Sequence, residues 1–271
     1  MTFKKIDKEI LRLSVPNIVS NITVPLLGLV DLAMMGHLDD PVYIGAIALG
    51  GVIFNIIYHS FAFLRMGSSG FTSQAYGAKN SKDVSLVLLR SLIVAAGFAA
   101  LLIVLQYPIQ WIGFNMLDGS EEVKTFAREY FYIRIYAAPA ALGLYALYGW
   151  FLGLQNAKIP MIIAIVVNTV NIGFNFLFIY VFDMKSDGVA LASVMAQYSG
   201  LILAFVFLLT TFRKYLTKFS NAVIFQIDEI KRFFRVNSDI FIRTLLLLLV
   251  LAFFTSRSAH LSDEILAVNT L

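Results

Sequence analysis

The sequence predicts an all-α integral membrane protein: a six-helix transmembrane bundle followed by the start of a second bundle. Three observations carry that prediction. Hydrophobic residues make up 59% of the 271 positions and charged residues only 14%, where soluble domains carry about 25% charged residues. Seven apolar stretches are long enough for a membrane-crossing helix, which takes about 20 residues. The charges between those stretches alternate in sign from one connection to the next, as positive-inside asymmetry requires.

Composition removes several function classes. The chain has no cysteine, so it has no disulfide framework, thiolate chemistry or Cys-ligated metal. The formal charge of +4 reflects basic residues beside span ends. No aromatic-basic stretch resembles a nucleic-acid platform, so no nucleic-acid partner is expected. No phosphate-cradling motif is present, which argues against ATP as the energy source. Gly67-Ser68-Ser69-Gly70 lacks the preceding strand and His/Asp partners of a nucleophile elbow. No catalytic pair is visible, and the reading is not an enzyme.

The spans are predicted at 11–36, 43–66, 84–113, 126–153, 159–182, 188–212 and 239–260. Lys4, Lys5, Lys8 and Arg12 precede the first run. That run is too long for a signal-peptide core and has no small-residue cleavage pattern, so it is expected to remain as the first span. Basic residues cluster at the N-terminus, at Lys79 and Lys82, at Lys158, and across Arg213, Lys214, Lys218, Lys231, Arg232 and Arg235. The alternate connections hold Asp39 and Asp40, then Asp118, Glu121 and Glu122, then Asp183 and Asp187. Positive-inside logic therefore puts the N-terminus in the cytoplasm of a multi-pass protein of the inner (plasma) membrane.

The domain reading is a first six-helix bundle at 1–212, a cytoplasmic amphipathic linker at 213–236, and the first helix and start of the second helix of a further bundle at 237–271. The linker intersperses Val223, Ile224, Ile227, Ile230, Phe233 and Phe234 among its charges, as a helix lying on the inner leaflet would. An eighth apolar element begins near Asp263, and the chain stops inside it at Leu271. The expectation is a fragment whose partners include the bilayer and a missing C-terminal bundle of the same protein. A weak repeat agrees: His37-Leu38 and His260-Leu261 each close a span and are each followed by an apolar-small run. On that alignment Phe254 stands where Asp31 does.

Asp31 is the candidate functional residue. A carboxylate inside an otherwise apolar span costs on the order of 2.5–3.5 kcal/mol by insertion scales. At 100° per residue, Ser14, Asn17, Asn21, Gly28, Asp31 and Met35 share about a third of the helix circumference. Lipid would penalise that stripe, so it should face the bundle interior or a wet cavity. Pro16 and Pro25 interrupt the backbone ladder of the same helix and permit bending. A buried Asp bonded to neighbouring amides, with only a packing role, is the bland alternative.

The fifth span carries Asn168, Asn171 and Asn175 on one face, and the sixth carries Ser193 and Gln197 one turn apart. These side chains could be interhelical glue, worth about 0.6–2 kcal/mol each. They could equally solvate Asp31 and respond to its protonation. Arg134, near Glu129 and the tyrosines Tyr130, Tyr132 and Tyr136, fits either snorkelling to the outer interface or gating. His37, His59 and His260 have no partners at metal-ligand spacing.

Three segments together resemble the multidrug and toxic compound extrusion (MATE) family, most closely its DNA-damage-inducible protein F (DinF) branch. They are Val24-Pro25 through Asp31 to Gly36-His37-Leu38; Arg65-Met66 through Gly70, Thr72 and Gln74-Ala75-Tyr76-Gly77-Ala78-Lys79-Asn80; and Gly149, Leu152-Gly153-Leu154-Gln155, Pro160, Asn168, Asn171-Ile172 and Asn175. The resemblance implies two six-helix bundles of which this chain holds the N-terminal one. It implies a secondary antiporter that exports small organic, often cationic, compounds against entering protons or Na⁺, with no other cofactor. It maps the coupling set onto Asp31, Asn171, Asn175 and Ser193, with Asn17, Asn21, Met35, Asn168 and Gln197 as chamber-lining candidates and Pro16 and Pro25 as bending points. Several relatives carry Asp where this chain has Asn175, which favours protons over a Na⁺ site at Asp31, Asn171, Asn175 and Ser193. A lipid-linked oligosaccharide flippase or exporter is the alternative, and it would need a cationic chamber.

Overall fold

The computed structural model describes residues 7–8, 10–19, 34, 36, 41–216, 226, 231, 235, 238–239, 241–243 and 246. Among them every regular element is helical. In chain order these are α1 (Ile10–Val19), α2 (Pro41–Ser60), α3 (Phe63–Gly77), α4 (Ser81–Val104), α5 (Gln106–Met116), α6 (Glu121–Arg134), α7 (Ala138–Gly153), α8 (Lys158–Phe176) and α9 (Ser186–Thr211). Five stretches among the described residues are long and apolar enough to cross a membrane: Pro41–Gly77, Ser81–Val104, Glu121–Gly153, Lys158–Val181 and Ser186–Thr211. They coincide with the second to sixth predicted spans. The first and seventh predicted spans, the 213–236 linker and the 237–271 segment fall mostly outside the described residues.

Two predicted stretches differ most from the structure, and the fourth also begins earlier, at Glu121. The second was drawn to residue 66, yet α3 carries the span on to Gly77. A hydropathy reading stops where Ser68, Ser69, Thr72 and Gln74 begin. Those small polar residues stay helical because Gly67, Ser68 and Thr72 are buried between helices. The third was drawn unbroken from 84 to 113, but the helix breaks at Leu105 and resumes as α5. Pro108 lies in the first turn of α5, where its missing N–H leaves Val104 without a helical donor.

The long stretches alternate in direction, so the bundle has two distinct ends. At one end α3 turns into α4 and α7 turns into α8, and both turns are built alike. Asn80 N–H reaches back to the Ala75 carbonyl at 3.0 Å, and Asn156 N–H to the Phe151 carbonyl at 3.0 Å. The preceding residues, Lys79 (φ 56°) and Gln155 (φ 58°), take the left-handed conformation. This is a Schellman closure. Each Asn side chain then caps the next helix, accepting at 3.2 Å from Asp83 N–H and from Ile159 N–H respectively.

Helix α7 is the centre of the bundle, packed on α3, α4, α8 and α9. It is apolar all round, as a fully surrounded helix should be. Its glycines allow close approach to α3: a Cβ at Gly149 would lie 2.3 Å from the Arg65 carbonyl oxygen, and one at Gly153 would lie 2.5 Å from Thr72 Cβ. Small residues four apart are the usual means by which membrane helices bring their backbones together. Trp150, fully buried, donates from Nε1 to the Val84 carbonyl at 2.9 Å and ties α7 to α4.

Candidate functional site

At the opposite end of the bundle the helices are irregular, and the irregularities surround a polar cluster. Arg134 is the last residue of α6, about 20 Å along the helix from Glu121 at 1.5 Å per residue. A 3₁₀ segment, Ile135–Ala137, follows it. Pro139 sits in the first turn of α7 and offers no N–H to the Ile135 carbonyl, so the α-helical ladder cannot run through. Tyr198 on α9 donates its hydroxyl to the Tyr136 carbonyl at 3.2 Å and holds the broken segment. Across from it, α8 widens into a π-helical turn, Leu177–Val181, two residues after Asn175. Such turns often mark functional positions.

Between these breaks Arg134, Ser193, Asn171 and Asn175 form one hydrogen-bonded chain. Arg134 donates from Nη1 to Ser193 Oγ. Asn171 donates from Nδ2 to the same oxygen at 3.3 Å, and Asn175 donates from Nδ2 to Asn171 Oδ1 at 3.0 Å. The three neutral residues are buried, at 3% exposure for Asn171, 0% for Asn175 and 7% for Ser193. The Arg134 guanidinium also sits 5.4 Å from the Phe54 ring centroid and 5.5 Å from that of Tyr130, a cation–π arrangement that helps hold its charge away from water.

The structure thus brings together Asn171, Asn175 and Ser193, three residues the sequence singled out. Asn168 is half-buried one turn before Asn171 on α8, and Gln197 is half-buried one turn after Ser193 on α9. On α1, Pro16 is buried and Asn17 half-buried. Asn21, Pro25, Asp31 and Met35 lie outside the described residues.

Arg134 is where sequence reasoning fell short. Counting the fourth span from residue 126 put Arg134 two turns deep, where snorkelling to the outer interface and a gating role stayed equally open. With α6 starting at Glu121 it lies deeper, and its side chain turns inward to Ser193 rather than outward. The signal in the sequence was Pro139, whose missing N–H predicts a break next to a charged residue. Half-buried Tyr145 and Tyr148 on α7 lie within electrostatic reach of Arg65 on α3, which adds a second cation to the described inner faces. Among the described residues no three His, Cys, Asp or Glu side chains gather as a metal-binding group. The polar chain of the site can relay a change of charge between three helices, because one hydroxyl oxygen is shared by donors from two of them.

A family profile, MatE, matches residues 16–177. The DNA damage-inducible protein F of Escherichia coli (strain K12) is 38% identical over 267 residues, which cover 98% of this chain and 58% of that protein. The human multidrug and toxin extrusion protein 1 is 27% identical over 215 residues, covering 76% of this chain and 36% of its own length. Among solved structures, a MOP superfamily transporter from Pyrococcus furiosus superimposes with a TM-score of 0.83 at 21% identity, over 97% of this chain and 58% of that one. At that identity the likeness speaks for the fold. The chain spans little more than half the length of the bacterial relative it matches.

Proposed function

The chain belongs to the MatE family, and from that premise we propose that the whole protein is a secondary antiporter exporting small organic, often cationic, compounds in exchange for protons or Na⁺. The observation that carries the reading is the buried chain Arg134–Ser193–Asn171–Asn175, set between α6, α8 and α9. In this reading Asp31 is the coupling acid and the polar chain is its partner. An acid in an apolar chamber favours its neutral form, so it takes a proton from the outer side. Protonation removes one charge and exchanges acceptor oxygens for a donor, and the hydrogen bonds of Asn171, Asn175 and Ser193 must rearrange. The first helix, weakened at Pro16 and Pro25, bends in response and narrows the chamber. A cationic substrate loses its counter-charge at the same step and is released.

The protein is read as multi-pass in the plasma membrane. Its N-terminus and the 213–236 linker lie on the cytoplasmic side, and the chamber lies between this bundle and a second one. In this reading Asn168, Gln197, Asn17, Asn21 and Met35 are the candidates for lining that chamber. Replacing Asp31 by Asn in the full-length protein is expected to abolish gradient-driven efflux while leaving a folded, monodisperse protein. Undiminished efflux by that variant would refute the assignment.

A lipid-linked oligosaccharide exporter is the second reading, and Arg134 and Arg65 are what favour it, since a pyrophosphate needs cationic donors. Against it, Arg134 already donates to Ser193. A lipid flippase assay run beside a dye-efflux assay on the same proteoliposomes separates the two.

A further inference from the structure

We propose that the turn end of the bundle binds the headgroup of an anionic phospholipid, in the cleft between the paired Schellman turns and the 3₁₀ turn Arg213–Tyr215. The inference concerns the membrane around the protein and stands whether or not the whole protein is an antiporter.

A cavity of about 360 Å³ opens there, lined among others by Tyr76, Lys79, Asn80, Ser81, Gln155 and Tyr215. Ligand pockets span roughly 300–1,000 Å³, so this one has room for a headgroup and not for a whole lipid. Its chemistry is one-sided. Lys79 brings an ammonium, Gln155 an amide, and Tyr76, Ser81 and Tyr215 hydroxyls, all able to donate. The Asn80 side chain is committed to Asp83, donating to its Oδ2 at 2.7 Å and accepting from its N–H at 3.2 Å. No carboxylate is among the described lining residues. Lys214 adds a second cation beside the wall, its Nζ 5.0 Å from the Tyr215 ring centroid. Exposed Lys82, Lys158 and Arg213 flank the same three turns.

Backbone strain singles out two of the lining side chains. Lys79 and Gln155 hold left-handed backbone, at φ 56° and 58°, where glycine is the usual residue after a helix. A Cβ in that conformation costs free energy, and such costs concentrate where a side chain serves a function. Both strained side chains line the same cavity, each from a different helix connection.

The surroundings favour a lipid over a soluble anion. The cavity lies at the ends of stretches apolar enough to cross a membrane, at the level where tyrosine rings such as Tyr76 and Tyr215 meet headgroups. Basic pockets between spans are suited to anionic headgroups. The chain's own 217–236 segment is a poor occupant. It carries Lys218, Lys231, Arg232 and Arg235 against Asp228 and Glu229, the same net sign as the cavity.

Native mass spectrometry of the purified full-length protein, in micelles doped equally with phosphatidylglycerol and phosphatidylcholine, gives a readout independent of transport. The wild type is expected to retain phosphatidylglycerol in preference. Lys79→Gln should weaken that binding about fivefold, and Lys79→Arg should keep it. Lys79 is exposed, so these variants are expected to fold. Lys158→Gln removes a charge outside the cavity lining and should weaken binding by under about twofold. Equal retention of the two lipids overturns the proposal. So does an equal loss from the two glutamine variants, which would mean diffuse surface charge only. If inorganic phosphate displaces the phosphatidylglycerol and protects against thermal unfolding as well as the lipid does, the cavity takes free phosphate and the lipid assignment falls.

Discussion

The two ends of the bundle are held together by different means. At the turn end, backbone shape does the work. Two Schellman closures of the same design lie side by side, glycines on α7 press against α3, and Trp150, Phe151, Phe212 and Tyr215 pack ring on ring. At the site end, side-chain hydrogen bonds join helices whose own ladders are broken by a 3₁₀ segment and a π turn. Shape-locked contacts have a single low-energy arrangement, because close-packed interiors tolerate little displacement. A chain of neutral amides, a hydroxyl and a guanidinium has several, differing in which donor takes which acceptor. Under the proposed antiporter function, the turn end would serve as the rigid part and the site end as the part that switches.

Glycine substitutions break this comparison most severely. Gly149→Ala puts a Cβ 2.3 Å from the Arg65 carbonyl oxygen, a backbone atom that cannot swing away. We expect a loss of about 3–5 kcal/mol, enough to remove a large share of a typical stability of roughly 5–15 kcal/mol. The control is Gly173→Ala at the site end. There an added Cβ meets nothing within 4 Å, and replacing a mid-helix glycine should raise stability by about 0.5–1 kcal/mol. Thermal unfolding of the two purified variants checks both signs. Equal effects would show that the ends are not built differently.

A smaller loss is expected from Ser193→Ala. It deletes the oxygen shared by Arg134 and Asn171 and leaves two donors without it, at a cost of about 1–3 kcal/mol. Ser193→Thr keeps the oxygen and should recover most of that loss. If the alanine variant unfolds at the wild-type temperature, the polar chain is not what joins α6, α8 and α9. Efflux measured in parallel should fall for the alanine variant more than its stability change alone would require.

How much of this was legible beforehand follows from which forces are local. The spans were readable because burial in a bilayer demands long apolar runs, and the five described ones lie where hydropathy puts them. The polar faces of α8 and α9 were readable from helical periodicity, since Asn171 and Asn175 are one turn apart and their hairpin partner Ser193 follows closely. The extension of α3 to Gly77 was not, because its polar residues are kept helical by α7, a helix that comes much later in the chain. The break at Leu105 was announced only by Pro108. The Arg134–Ser193 bond depends on the rotation of α6 against α9, which no local pattern encodes. Asp31, the residue on which the coupling argument turns, lies outside the described residues.

The mildest test concerns the three non-glycine residues held in the left-handed region: Lys79, Gln155 and Asp183. Two lie at the turn end, closing the paired Schellman turns, and the third precedes α9 at the site end. A side chain in that conformation costs roughly 1–2 kcal/mol through contact of Cβ with the following carbonyl, and Asp is among the residues that bear it best. Glycine removes the strain but gains freedom in the unfolded chain, so only part of the cost is recovered. Lys79→Gly and Gln155→Gly should each stabilise the protein by about 0.5–1 kcal/mol, and Asp183→Gly by less. At Asp183 the effect is of the same kind but weaker because the native residue is already suited to the turn. Chemical or thermal unfolding ranks the three. A destabilising Lys79→Gly would mean that the side chain makes a contact worth more than the strain, and the turn end would then depend on more than backbone shape.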